Sequence, residues 1–331
     1  MSAGRAVVLQ TAHLGDVVLT IPLLRRLAER HGPVDVVTTP AAAPLLAGQP
    51  AVQSVIPFDK HGTDAGLPGL LRLAGRLRAP GYRVAWLPHR SVRSGLAVWL
   101  AGIPERVGFA GSPGRWCYTR RVPLPGDGHQ TSRLAALAGT APEPAPWFAV
   151  PPDDQAAADA WLAAHGIVGR FAVLAPGARW GTKRWPGFGE LAAALPLPVV
   201  VIGGPEDQAL AAAVAALAPA PAASAIGLGL GPVAGLIARS AVVVSNDSVA
   251  LHLAGGLGRP AVALFGPTVP AFGFGPLGAA DAIVEHPGLP CRPCSPHGPA
   301  TCPLGHHRCL RDLGAPVVLA AVTARLESAR Q

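Results

Sequence analysis

Asn246, Asp247, Ser248 and His252 follow directly on "VVV" (Val242–Val244), a run that reads as a buried strand. Polar groups at the end of a core strand are costly unless something pairs with them. They either cap the next helix or hold a ligand. Asp247 or Ser248 at an N-cap leaves backbone N–H groups free for a phosphate. His252 lies one turn on from Ser248, on the same helix face, and is either a satisfied structural residue or part of the same site. Three other stretches pose the same choice. In "APGARWGTKRWPG" (Ala175–Gly187), Arg179, Lys183 and Arg184 cluster with Trp180 and Trp185. This is either a solvated basic loop or a cationic cradle for a diphosphate. In "GGPEDQAL" (Gly203–Leu210), Glu206 or Asp207 either caps a helix or takes a pair of ribose hydroxyls. In "TAHLGDVVLTIP" (Thr11–Pro22), Gly15 permits a tight turn, and Asp16 is either a helix cap or a general base.

The elements that position these residues alternate. Short apolar runs ("AVVLQ", "VDVVTT", "YRVAWLP", "RFAVLAP", "LPVVVIGG") are separated by amphipathic stretches with helical spacing. The pattern predicts α/β structure with parallel sheets and helices on both faces. The first helix is expected from Val17 to about Glu29. The proline-rich run Gly139–Asp154 reads as a linker between two doubly wound halves, residues 1–150 and 151–331. In such sheets ligands sit outside the carboxyl ends of the strands, where each of the stretches above begins.

The 331 residues carry a formal charge of +8. The arginines are spread over several predicted helices and loops, and aromatic residues are sparse. Nucleic-acid binding is therefore not expected, while a phosphorylated or membrane-surface acceptor fits. No run reaches the ~20 apolar residues of a membrane span, and the N-terminus does not read as a secretory signal, so a cytoplasmic location is expected. Four of the five cysteines, Cys291, Cys294, Cys302 and Cys309, fall in "CRPCSPHGPATCPLGHHRC". Their spacing suits either a tetrahedral structural zinc or a loop of reduced thiols.

Three motifs together, "LGDVVLTIPLL", "PGARWGTKRWP" and "SNDSVALHLAGGLGRPAVALFGPT", resemble glycosyltransferase family 9, the ADP-heptose:lipopolysaccharide heptosyltransferases. The resemblance runs over nearly the whole chain. It implies a GT-B fold, two Rossmann-like domains facing a central cleft, with acceptor bound by the first and nucleotide sugar by the second. It implies inverting transfer of heptose from an ADP-sugar to a lipid A/core-type acceptor with no cofactor required, and peripheral contact with the inner membrane surface. Matched to the family's motifs, Asp16 is the catalytic base and Lys183 meets the donor phosphates. Glu206 meets the adenosine ribose, and Asp247, Ser248 and His252 hold the sugar and diphosphate. Gly15 and Arg179 lie in the matched loops. His13 stands where family members carry a small hydroxyl residue, and "DSV" where they often carry "DTG". A nucleotide-sugar epimerase on the same fold, or a non-catalytic nucleotide-sugar binder, are the alternative readings.

Overall fold

The computed structural model describes residues 4–219 and 221–328. These divide into two compact units, one ending at Ala149 and one beginning at Val150. The first unit runs β1 (Ala6–Leu9), α1 (Leu14–His31), β2 (Val34–Thr38), α2 (Ala43–Leu46), β3 (Val52–Pro57), α3 (Gly66–Arg78), β4 (Val84–Leu87), α4 (Val92–Leu100), β5 (Glu105–Phe109), β6 (Arg120–Val122) and α5 (Gln130–Ala138). Its sheet is parallel throughout, in the order β3-β2-β1-β4-β5-β6.

The second unit runs α6 (Pro152–Ala164), β7 (Ala172–Ala175), α7 (Phe188–Ala194), β8 (Val199–Val201), α8 (Gln208–Leu217), β9 (Ala222–Ser224), α9 (Leu230–Arg239), β10 (Val242–Asn246), α10 (Val249–Gly256), β11 (Ala261–Phe265), β12 (Ala282–Glu285), α11 (Arg308–Arg311) and α12 (Ala315–Ser328). Its parallel sheet has the order β12-β11-β10-β7-β8-β9. Both sheets therefore reverse winding once, between β1 and β4 and between β7 and β10. In doubly wound folds that reversal opens a crevice at the carboxyl edge.

The central strands are buried on both faces, as parallel strands covered by helices must be. Val7, Val8, Leu9, Val173, Leu174, Val243 and Val244 are fully shielded. Each sheet has a core of its own. In the first, Leu70, Leu73 and Leu77 of α3 and Ala97 and Val98 of α4 pack on Val7, Leu9, Ala85 and Leu87. In the second, Phe188, Leu191, Val318 and Val322 pack on Leu174, Val201, Val244 and Leu264.

Three expectations change. The short edge strands β6 and β12, largely exposed, lack the apolar run that betrays a central strand. α6 begins inside the expected linker, with Pro152 in its first turn beside Asp153 and Asp154, a favoured start for a helix. The rest of the proline-rich run is strapped to the first unit. Trp147 and Phe148 are buried. Gln49 makes two hydrogen bonds to the backbone of Ala149, at 2.7 and 3.1 Å. Arg25 pairs with Glu143 and donates to the Trp147 carbonyl. Two buried rings outweigh the flexibility that prolines alone suggest.

Candidate active site

In the second unit, four strand ends supply the site. Asn246 closes β10 and lies fully buried. Its side-chain amide donates to the Pro176 carbonyl at 2.8 Å, and its Oδ1 accepts from the Trp185 N–H at 3.1 Å. One side chain thus stitches the end of β10 to both ends of the loop after β7, across the winding reversal. Within that loop the turn Gly181–Lys183 aims Lys183 at Asp247. Lys183 Nζ donates to Asp247 Oδ2 at 2.6 Å, with both side chains largely buried, and Thr268 after β11 donates to the same oxygen at 2.8 Å.

The polar side chains at the end of β10 do not cap the helix that follows. Ser248 occupies the N-cap of α10 by backbone, but its hydroxyl makes no cap bond and instead meets the Ser245 hydroxyl at 2.9 Å. Asp247 serves Lys183 and Thr268. Neither side chain spends itself on the helix. His252 is buried within α10, its ring 6.2 Å from that of Phe274.

The turn after β8 separates Glu206 from Asp207. Asp207 is buried, accepts from the Gly204 N–H at 3.1 Å, and lies 3.0 Å from the Arg184 guanidinium as an ion pair. A Cβ at Gly177 would meet Asp207 Oδ2 at 2.1 Å, so the loop after β7 rests directly on this carboxylate. Asp207 is structural, and Glu206 is left exposed beside it at the sheet edge. Arg179 is exposed and lies over the Trp180 ring, 5.4 Å from its centroid.

The cysteine-rich segment braces this site. His307 Nε2 donates to the Thr182 carbonyl at 2.6 Å, and the Thr182 hydroxyl donates to the Pro299 carbonyl at 2.5 Å. Gly298 runs against the Lys183 stem: a Cβ there would lie 3.1 Å from Lys183 Cε. Arg292 donates to the carbonyls of Gly266 and Thr268, holding the turn that carries Thr268. For the four cysteines the sequence leaves a structural zinc and a loop of reduced thiols as alternatives. Among the described residues no three His, Cys, Asp or Glu side chains converge as metal ligands. The Cys302 sulfur accepts from the His307 N–H at 3.4 Å, which holds its thiol below the ordinary value. Cys309 is drawn into the core with Leu310, and burial pushes its thiol up to about 11. The segment packs on Thr182, Lys183 and the turn carrying Thr268.

In the first unit, α1 begins three residues earlier than expected. Asp16 is not its cap residue; it occupies the third helical position, and its carboxylate accepts from the His13 N–H at 3.3 Å. That back-bond closes the turn that includes Gly15. Gln10, buried at the end of β1, donates to the Thr20 hydroxyl at 2.9 Å, and Thr20 donates to the Asp16 carbonyl at 2.7 Å. Asp16 itself is half-buried. In the same unit, His89 after β4 meets the Leu9 carbonyl through Nδ1 at 2.9 Å. A carbonyl only accepts, so Nδ1 carries the proton and Nε2 accepts from the hydroxyls of Thr11 and Ser94, each at 3.2 Å. Burial lowers the His89 pKa to about 4. Lys60 after β3 donates to the Thr11 carbonyl at 2.6 Å, and burial followed by the charge of Arg93 lowers its pKa. Gln10, Lys60, His89 and Thr268 were not singled out from the sequence. The rule that finds them is the strand-end rule, applied to every strand instead of to the motif-bearing ones; His307, far from any strand end, is placed only by the fold.

The model of glycosyltransferase family 9 (heptosyltransferase) matches residues 70–303. The chain belongs to this family. The family resemblance is thereby established, and the chain is a glycosyltransferase. Lipopolysaccharide heptosyltransferase 2 of Salmonella typhimurium is 29% identical over 297 residues, covering 81% of this chain and 84% of the relative. Among solved structures, ADP-heptose lipopolysaccharide heptosyltransferase II of E. coli superposes with a TM-score of 0.80 at 25% identity, covering 99% of this chain and 100% of that one. The family 9 glycosyltransferase of Veillonella parvula superposes with a TM-score of 0.86 at 23% identity, covering 99% and 98%, and shows the shared fold. The two six-stranded sheets and their helices are thus the family's architecture.

Proposed function

We propose that this chain transfers a heptose from an ADP-sugar to a hydroxyl of a lipopolysaccharide-core acceptor, with inversion at the anomeric carbon. The observation that carries the reading is the Lys183–Asp247–Thr268 cluster at the winding reversal of the second sheet. Its carboxylate is held by a lysine and a hydroxyl and does not cap α10. A cation beside open helical N–H groups suits a diphosphate. Glu206, exposed at the neighbouring strand end, suits the ribose hydroxyls, and Ser248 and His252 the sugar side.

In this reading the second unit binds the donor and the first the acceptor, in the GT-B arrangement that the family resemblance implies. Asp16, ionised, takes the proton of the acceptor hydroxyl as its oxygen attacks the anomeric carbon. The bond to the β-phosphate breaks on the opposite face. The charge that develops on the departing ADP is met by Lys183 and by the N-terminus of α10, electrostatic stabilisation by groups already in place. The relatives' names, lipopolysaccharide heptosyltransferase 2 and ADP-heptose lipopolysaccharide heptosyltransferase II, support this donor and this acceptor class. No helix among the described residues is long and apolar enough to cross a membrane. A lipid-anchored acceptor therefore calls for work at the inner membrane surface from the cytoplasmic side.

The deciding experiment is thermal protection by ADP-, UDP-, GDP- and dTDP-sugars, followed by product analysis with and without acceptor. ADP-heptose should protect most, and its turnover should require acceptor. Conversion of the donor sugar without acceptor would favour an epimerase, and protection without turnover a binding protein.

A further inference from the structure

The transfer chemistry gives a role to the Asp16 carboxylate and none to the side chains that hold its turn. Gln10, buried at the end of β1, holds that turn at both ends. Its Oε1 accepts from the Ala12 N–H at 3.3 Å, at the entry. Its amide nitrogen donates to the Thr20 hydroxyl, which donates to the Asp16 carbonyl at 2.7 Å, at the exit.

Around this bridge, other loops close a ring on Thr11. Lys60, after β3, donates to the Thr11 carbonyl at 2.6 Å. His89, after β4, accepts from the Thr11 hydroxyl at 3.2 Å. Both partners are anchored on the first turn of α4. Arg93 donates to the Lys60 carbonyl at 2.9 Å, and the Ser94 hydroxyl donates to His89 Nε2 at 3.2 Å. Thr11 and Ser94 are buried. Thr11 is thus held at its carbonyl by one loop and at its hydroxyl by another. β1 and β4 flank the winding reversal, so the ring lies where the first sheet opens its crevice. Loops at strand ends are ordinarily the mobile part of a fold. A buried hydroxyl also gains little over a methyl group of the same shape, since its hydrogen bond must first offset its lost hydration. What the Thr11 hydroxyl adds is position.

We propose that Thr11 is a positioning residue for the base: held by His89 and Lys60, it fixes the entry to the α1 turn and with it the aim of the Asp16 carboxylate. The path is short. Asp16 Oδ2 accepts from the His13 N–H at 3.3 Å, so the carboxylate is referred to the backbone two residues after Thr11. A shift at Thr11 carries that N–H, and the carboxylate, with it. The base must stay within hydrogen-bond reach of the acceptor hydroxyl as its oxygen attacks, and a displacement of about 1 Å can cost ~10²-fold. The inference rests on the reading of Asp16 as that base.

Thr11→Val removes the hydroxyl at nearly constant shape, and Thr11→Ser keeps it. With ADP-heptose and a delipidated core acceptor, Thr11→Val should lose ~10- to 100-fold in kcat. Its KM for ADP-heptose and its calorimetric affinity for ADP should stay as in wild type. Its melting temperature should also hold, because Ser94 still satisfies His89 Nε2. Thr11→Ser should keep most of the wild-type kcat. If Thr11 acts through Asp16, adding Thr11→Val to Asp16→Ala should cost the residual turnover nothing further. Wild-type kcat in Thr11→Val, an equal loss in Thr11→Ser, a matching loss of ADP affinity, or the same fold-loss repeated in the Asp16→Ala background would each overturn the positioning role while leaving Asp16 as the base. Wild-type turnover in Asp16→Ala is the separate failure, which would remove the base reading and this inference with it.

Discussion

Asp247 illustrates how a residue's neighbours fix its role. As a cap it could be exchanged for Asn at little cost, since Asn caps about as well. Its carboxylate instead answers the Lys183 ammonium, and both are largely buried. Asp247→Asn should therefore lower the melting temperature of the ligand-free protein, by ~1–3 kcal/mol in stability, because a buried cation loses its counter-charge. It should also reduce kcat/KM at least ~10-fold. Unchanged melting and unchanged kinetics would return Asp247 to the status of a surface polar residue. Asp16 separates differently. Its back-bond to His13 is worth about 1 kcal/mol as a helix-start contact. A general base is worth ~10²–10⁴-fold in rate. Asp16→Ala should lose that much turnover while calorimetric affinity for ADP stays as in wild type, and turnover near wild type would leave only the helix-start role.

At the scale of elements, two braces set the strand-end loops. His307 is the one non-glycine residue with positive φ among those described, at 51°. A side chain in that conformation costs roughly 1–2 kcal/mol, yet this one reaches back to the Thr182 carbonyl, next to Lys183. His307→Gly relieves the backbone and removes the brace. The melting temperature should hold or rise while ADP binding weakens ~10-fold, through loss of Lys183 preorganisation. A fall in melting temperature with ADP affinity intact would make His307 a structural residue only. The second brace is His89, which ties β1 to α4 in its neutral form. Its folded pKa of about 4 lies below the ordinary 6.5. Below pH 6.5 the unfolded chain takes up a proton that the folded chain refuses. The first unit should therefore lose stability as pH falls from 6.5 towards 4, by on the order of 2 kcal/mol between pH 7 and 5. Urea unfolding at the two pH values should show a smaller difference for His89→Gln; an equal difference would place the pH sensitivity elsewhere.

For the whole molecule, separate cores in the two units mean that ligand effects should be separable. ADP should slow amide exchange in the loops around 178–187, 203–207, 246–249 and 266–268, all at the carboxyl edge of the second sheet. The strands of the first sheet should exchange as before. Protection spread evenly over both sheets, or centred on the first, would move the nucleotide site.

The sequence determined the central strands of both sheets, because a parallel strand covered on both faces must be a short continuous apolar run, and that signal is local; the exposed edge strands β6 and β12 carry no such run. It also marked four strand ends as candidates, since the segments carrying Asp16, Lys183, Glu206 and Asp247 each open where such a run closes. It could not determine which of two adjacent polar groups is structural. Glu206 and Asp207 are equivalent in the chain, and only the approach of Gly177 and Arg184 assigns Asp207 to the scaffold. Nor could it place Thr268 beside Asp247, or His307 beside Thr182. Those bonds join positions 21 and 125 residues apart, and winding order alone makes them neighbours.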